Sequence, residues 1–136
     1  MAWAPSEGDT PYDRLGGEEP VRRLVTRFYD HMDQGEPELA RIHECDEAGR
    51  VSARAREDFA LFLMEWLGGP RGYSTVKGHP RLRMRHGKVP VNLAMRDAWL
   101  RCMQKAMDDV QVSGEVREFL DLRFAEVANF LRNVEG

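Results

Sequence analysis

Residues 66–86 read Trp66-Leu67-Gly68-Gly69-Pro70-Arg71-Gly72-Tyr73-Ser74-Thr75-Val76-Lys77-Gly78-His79-Pro80-Arg81-Leu82-Arg83-Met84-Arg85-His86, and this stretch decides how the rest of the chain is read. An apolar helix runs into Gly68-Gly69-Pro70, where two glycines and a proline stop it. A basic connection follows. Pro80 then opens a short helix of about residues 80–86, because a proline at the first helical position gives up no intrahelical hydrogen bond. That helix ends on His86. Outward from here helical periodicity dominates, and no alternation of useful strand length is present.

Upstream, Ala55, Phe59, Phe62, Leu63, Trp66 and Leu67 form the apolar stripe of a helix over about 52–67, with Ser52 as its N-cap. Before it, Val21, Leu24, Val25, Phe28, Tyr29 and Met32 mark a helix over about 18–33 that begins after Gly16-Gly17. Pro20 is tolerated there because it lies in the first turn. Downstream, Met95, Ala98, Trp99, Cys102, Met103, Ala106, Met107 and Val110 make the cleanest stripe, on a helix over about 92–109. Arg96, Asp97, Arg101, Lys105, Asp108 and Asp109 take its wet faces. A last helix over about 114–133 buries Val116, Leu120, Phe124, Val127, Leu131 and Val134, with Phe119 and Phe130 widening the stripe. The expectation is an all-α domain of four long helices in two pairs, separated by an irregular connection around 68–90. A connection of that length in a compact domain usually has a functional reason. Residues 1–10 read as a loose N-terminal tail and residues 11–136 as a single domain.

A chain of 136 residues supports one core. Its 42% hydrophobic and 32% charged content fits an ordinary globular protein. The N-terminus shows no basic cluster followed by an apolar run, and no apolar stretch approaches a membrane span. Cys45 and Cys102 do not share a metal-ligand spacing and read as reduced thiols. These features point to a cytoplasmic protein with no membrane and no nucleic-acid partner. Arg71, Lys77, Arg81, Arg83, Arg85 and Lys88 fall in one stretch without Asp or Glu, which leaves −9 on the remainder of a chain whose net charge is −3. A cationic stretch on an acidic protein favours a small anionic ligand over nucleic acid. A solvated basic loop explains the same charge without any ligand.

The histidines are His31, His43, His79 and His86. His79 and His86 lie two helical turns apart, and Leu82 shares a side with His86. There is no HExxH, no second histidine four residues away and no cysteine pair to complete a protein-only metal site. A lone histidine ligand makes sense only where another group supplies most of the coordination, as a porphyrin does. The pattern therefore permits haem without establishing it, since a histidine on a short helix is more often a surface or hydrogen-bonded residue than a ligand. Periodicity alone reads Tyr29 and Trp99 as core residues and His43 as an exposed loop residue.

The motifs taken together carry a resemblance. Gly68-Gly69-Pro70, Tyr73-Ser74, Gly78-His79-Pro80-Arg81-Leu82-Arg83-Met84-Arg85-His86 and Arg96-Asp97-Ala98-Trp99-Leu100-Arg101-Cys102-Met103 are similar to the second group of truncated haemoglobins. Tyr12-Asp13-Arg14-Leu15-Gly16-Gly17 and Arg27-Phe28-Tyr29 also fit, so the resemblance spans about residues 11–131. It implies a truncated globin fold, a 2-on-2 helical sandwich around haem b, with His86 as the proximal iron ligand and His79 as a helix-start residue. It places Tyr29, His43 and Trp99 on the distal side, with Ala55 where vertebrate globins carry the distal histidine. Phe59 is bulkier than the leucine common in the family and narrows that pocket, while Phe62, Leu63 and Leu82 pack against the haem and core. Arg85, followed by Tyr73 and Lys77, is expected to meet the haem propionates. The family often continues His-Ala-Pro-Phe after the ligand, whereas this chain reads His86-Gly87-Lys88-Val89-Pro90-Val91 and loses an aromatic from the proximal wall. A histidine at position 43, where relatives often have tyrosine, can titrate near neutral pH and make ligand binding pH-dependent.

The resemblance implies reversible binding of O2, NO and CO at ferrous iron, by a monomer or homodimer. Three uses stay open: oxygen binding, transport or sensing; conversion of nitric oxide as a dioxygenase; and peroxidase-like oxidation. Turnover in either enzymatic use needs an external reductase. The competing class is a haem-free four-helix domain that binds a partner or an apolar small molecule, to which Met95, Met103 and Met107 are suited.

Overall fold

The computed structural model describes residues 3–77 and 91–131, without the side chains of 75–77 and 131. The short helix expected over 80–86, and with it His79, Arg81, Leu82, Arg85 and His86, lies outside the described residues. Seven helices are described: α1 Pro11–Leu15, α2 Glu18–Gly35, α3 Pro37–Ala40, α4 Ala53–Trp66, α5 Gly72–Lys77, α6 Leu93–Asp109 and α7 Gly114–Leu131. The four long ones fall within about two residues of the expected spans. Ser52 caps α4 by accepting from the Ala55 N–H at 3.1 Å, and Asn92 caps α6 by accepting from the Met95 N–H at 2.9 Å.

Helix α2 is the centre of the sandwich. It packs most extensively on α6 and next on α4, while α6 in turn packs on α7. The buried faces are those the periodicity gives: Val21, Leu24, Val25, Phe28, Tyr29 and Met32 from α2, and Ala98, Cys102, Met103, Ala106 and Met107 from α6. On α7 the buried line is Val116, Leu120, Phe124 and Ala128, a strict four-residue spacing. The expected widening of that stripe fails at Phe130, which is 53% exposed. No helix among the described residues is long and apolar enough to cross a membrane.

Three short helices were not expected. Pro11 and Pro37 each start one at its first turn, where proline's fixed φ suits helix entry. The third, α5, lies inside the connection expected to be irregular. Nor is the N-terminal segment a loose tail from Trp3 onward. Ser6 and Asp9 exchange backbone hydrogen bonds, the Trp3 indole donates to Asp9 at 3.0 Å, and its ring meets Phe119 edge-on at 5.2 Å.

Gly68-Gly69 does more than stop α4. Gly68 sits at φ +97°, the left-handed conformation that ends many helices. The glycines also let α1 lie against the end of α4, where the Tyr12 N–H donates to Leu67 O at 2.9 Å. A Cβ at Gly69 would lie 2.5 Å from the Tyr12 ring. Gly69→Ala is therefore expected to lower stability by about 1–3 kcal/mol, the usual range for overpacking, in urea unfolding. Gly35→Ala, where a Cβ meets nothing within 4 Å, is the control and should be neutral or slightly stabilising. Burial also pushes the Cys102 thiol up to about 11. Iodoacetamide at neutral pH should spare Cys102 in the folded protein and label it only after denaturation, as read by mass spectrometry.

Candidate functional site

Where α2, α3, α4 and α6 meet, aromatic rings line up around Phe28. Phe28 contacts Tyr29 at 5.0 Å between ring centroids, Phe59 at 5.5 Å and Trp99 at 5.3 Å. Tyr29 in turn meets His43 edge-on at 5.6 Å and Phe59 at 5.8 Å. From Phe59 the series continues through Phe62, nearly parallel at 6.1 Å, to Tyr73 on α5 at 5.6 Å. One wall thus carries Tyr29, Phe59, Phe62 and Tyr73 in sequence, each in contact with the next.

His43 and Trp99 also share the lining of one cleft of about 370 Å³, with Leu39, Ile42, Val91, Met95, Arg96 and Ala128. His43, expected from periodicity to be an exposed loop residue, is half-buried beside Tyr29 instead. Its Nδ1 lies 2.9 Å from Leu39 O. A carbonyl oxygen only accepts, so Nδ1 carries the proton, and Nε2 of the neutral imidazole is an acceptor.

Tyr29 is 4% exposed, and burial pushes its phenol above its ordinary range. Neither its hydroxyl nor the Trp99 indole N–H has a hydrogen-bond partner among the described residues. Yet no fully enclosed side-chain nitrogen or oxygen there lacks one. Neither polar atom is therefore fully enclosed, and Trp99 lines the cleft.

The rear of Tyr29 is closed by a charge cluster that periodicity did not reveal. Arg56 of α4 donates from Nε to Val51 O at 3.0 Å and from Nη1 to Asp30 Oδ1 at 3.0 Å. It also donates to Asp33 Oδ2 at 2.5 Å. Asp33 Oδ1 accepts from the Val51 N–H at 3.0 Å. The only available signal was the three-residue spacing of Asp30 and Asp33, which puts them on one helix face. A second lock went unseen for the same reason. Glu65 near the end of α4 accepts from the Ser74 hydroxyl at 2.6 Å and from the Ser74 N–H at 3.2 Å, fixing α5 and the buried Tyr73.

Of the remaining expected site residues, Leu63 is fully buried in the core, and Ala55 is half-buried one turn before Phe59. His86, Arg85, Leu82 and the Lys77 side chain lie outside the described residues. His31 is accounted for elsewhere, 2.6 Å from Asp109.

A family model described as bacterial-like globin matches residues 10–133. The Group 2 truncated hemoglobin of Bacillus subtilis is 39% identical over 125 residues, covering 92% of this chain and 89% of that protein. The group II truncated hemoglobin from Bacillus anthracis superposes with a TM-score of 0.84 at 35% identity, over 93% of this chain and 98% of that one. The truncated oxygen-avid haemoglobin from Bacillus subtilis gives 0.81 at 38% identity, over 91% and 99%. The chain belongs to the bacterial-like globin family, as a group II truncated haemoglobin with the 2-on-2 all-α fold.

That family implies haem, and the described residues fit it. A flat apolar macrocycle needs an aromatic wall, which the Phe59–Phe62–Tyr73 series supplies, and a polar distal ligand needs donors not already spent within the protein. The Glu65–Ser74 lock predicts a further property. Ser74→Ala frees α5 and the ring of Tyr73, so haem transfer to an acceptor apoprotein should run severalfold faster than from the wild type, with α4 intact by circular dichroism.

Proposed function

We propose that the protein binds dioxygen, and with it nitric oxide and carbon monoxide, at a haem b. On this reading His86 supplies the proximal ligand, and Tyr29, His43 and Trp99 face the bound gas. Bound there, haem would supply an iron that can take a protein histidine, here assigned to His86, and a diatomic gas. The observation that carries the reading is the pair of donors on a buried and a half-buried side chain, Tyr29 O–H and Trp99 Nε1–H, that no acceptor among the described residues uses.

The chain's own residues then divide the work. Tyr29 and Trp99 donate to the ligand from two helices, α2 and α6, whose mutual packing fixes the approach. His43, with Nδ1 committed to Leu39 O, offers Nε2 as an acceptor when neutral, so it can orient a neighbouring O–H rather than add a third donor. Phe59 fills the apolar side of the distal space, and Ala55, carrying only a methyl group, leaves the adjoining turn open. Arg85, Tyr73 and Lys77 are the groups we assign to the haem propionates.

A donor to a partly charged acceptor contributes about 1–3 kcal/mol, or roughly tenfold to a hundredfold in affinity. Dioxygen develops such charge at its far atom, while carbon monoxide develops little. The reading therefore favours tight oxygen binding with slow release, and the similar Bacillus subtilis haemoglobin is oxygen-avid. Slow release suits oxygen binding or chemistry on held oxygen better than transport. Nitric oxide dioxygenation or peroxidase-like turnover would draw on an external reductase.

Tyr29→Phe and Trp99→Phe should each speed oxygen dissociation from the ferrous protein by about tenfold or more, with carbon monoxide release nearly unchanged, in stopped-flow displacement. Unaltered oxygen release in both variants removes these residues from the site. His86→Ala should lose the five-coordinate axial-histidine spectrum of the ferrous protein, and its retention would assign the ligand elsewhere.

A further inference from the structure

The cluster behind Tyr29 has no place in the reading above, and its geometry is specific. The Arg56 guanidinium carbon lies 5.6 Å from the centroid of the Tyr29 ring, inside the range where a cation is attracted by a ring's π face. The guanidinium cannot swing away to water. Its hydrogen bonds go to Asp33, Asp30 and Val51 O, and the Asp33 side chain is only 8% exposed. Asp30 and Asp33 belong to α2, the helix that carries Tyr29, whereas Arg56 belongs to α4. One side chain therefore fixes the spacing of the two helices and sets a charge against the ring at the same time. A cation on the π face draws electron density from the phenol, which makes its O–H a stronger hydrogen-bond donor.

We propose that Arg56 is a positioning residue for Tyr29, holding the ring in place from behind and polarising its hydroxyl toward the distal ligand, so that it sets discrimination between dioxygen and carbon monoxide. This rests on the reading of Tyr29 as a distal donor. Among the influences on the phenol, only the Arg56 charge favours a more acidic hydroxyl. Burial pushes the Tyr29 phenol up, the Arg56 charge opposes that shift, and Asp58 adds to it. Lysine is not equivalent to arginine here, because an ammonium has neither the planar face nor the fork that reaches Val51, Asp30 and Asp33 together.

The test uses the haem-loaded protein with two readouts. The first is oxygen dissociation for Arg56→Met in the wild-type and Tyr29→Phe backgrounds. The second is the ¹³Cζ resonance of labelled Tyr29, assigned by its loss in Tyr29→Phe against the other two tyrosines, Tyr12 and Tyr73. Arg56→Met should speed oxygen release about threefold to tenfold when Tyr29 is present and leave it unchanged when Tyr29 is absent. Carbon monoxide release should stay constant. The Tyr29 resonance should move in Arg56→Met and return only part of the way in Arg56→Lys, which restores the charge without the fork. Equal acceleration in both backgrounds overturns the proposal, as does an unmoved Tyr29 resonance in folded Arg56→Met protein. If Arg56→Met does not fold, Arg56→Gln keeps a donor for Asp33 and Val51 and is read in the same way. If Tyr29→Phe alone leaves oxygen release unchanged, the distal-donor reading is what fails, and the carbon resonance still decides whether Arg56 acts on the ring.

Discussion

A phenol almost wholly removed from water, with its hydroxyl given to no acceptor among the described residues, is the constraint on which the rest of this structure depends. No fully enclosed polar side-chain atom among the described residues goes unpaired, so this hydroxyl keeps an opening through which an acceptor can reach it. The surroundings hold Tyr29 in that condition rather than relieve it. Phe28 and Phe59 close its sides, His43 meets it edge-on, and Arg56 stands behind it. Trp99 reaches the same region through Phe28, with its own N–H equally unspent.

The scaffold delivers these groups from α2, α4, α6 and the turn after α3, so their convergence rests on how the helices are locked together. Two locks are polar. Arg56 joins α4 to α2 through Asp30 and Asp33, and Glu65 joins α4 to α5 through Ser74. Buried ion pairs are weak evidence of stability, because desolvation offsets their attraction. Their value here lies in register: they specify which turn of one helix faces which turn of the next. A third lock is steric, since Gly68 and Gly69 leave room for Thr10 and Tyr12 that no side chain could share.

Legibility from the sequence followed the length of the repeat. The stripes of α2, α4, α6 and α7 extend over several turns, so their spans are legible, and on α2 and α6 so are the inward faces; on α4 the buried line also takes in Ala60 and Met64. Helices α1, α3 and α5 are each shorter than two turns, too short for any apolar period to declare itself, and α5 was read as irregular connection for that reason. On α7 the stripe was drawn too wide. Its buried residues recur every fourth position from Val116 to Ala128, so the buried line passes Phe130 by. Tyr29 and Trp99 were marked as inward by periodicity, but only the resemblance suggested that their polar atoms had work to do. The proton on His43 Nδ1 follows from a contact with Leu39 O that no spacing rule gives. Arg56 was hidden because a charged residue within a helical stripe is read as solvated until its partners on another helix are known.

The most direct test of unspent donors facing a bound gas is resonance Raman spectroscopy of the oxygen complex, recorded in light and in heavy water. If Tyr29 O–H and Trp99 N–H reach the ligand, the iron–oxygen stretch will shift when those exchangeable protons become deuterons. The shift will shrink in Tyr29→Phe and again when Trp99→Phe is added. An iron–oxygen stretch at the same frequency in both solvents would contradict the account.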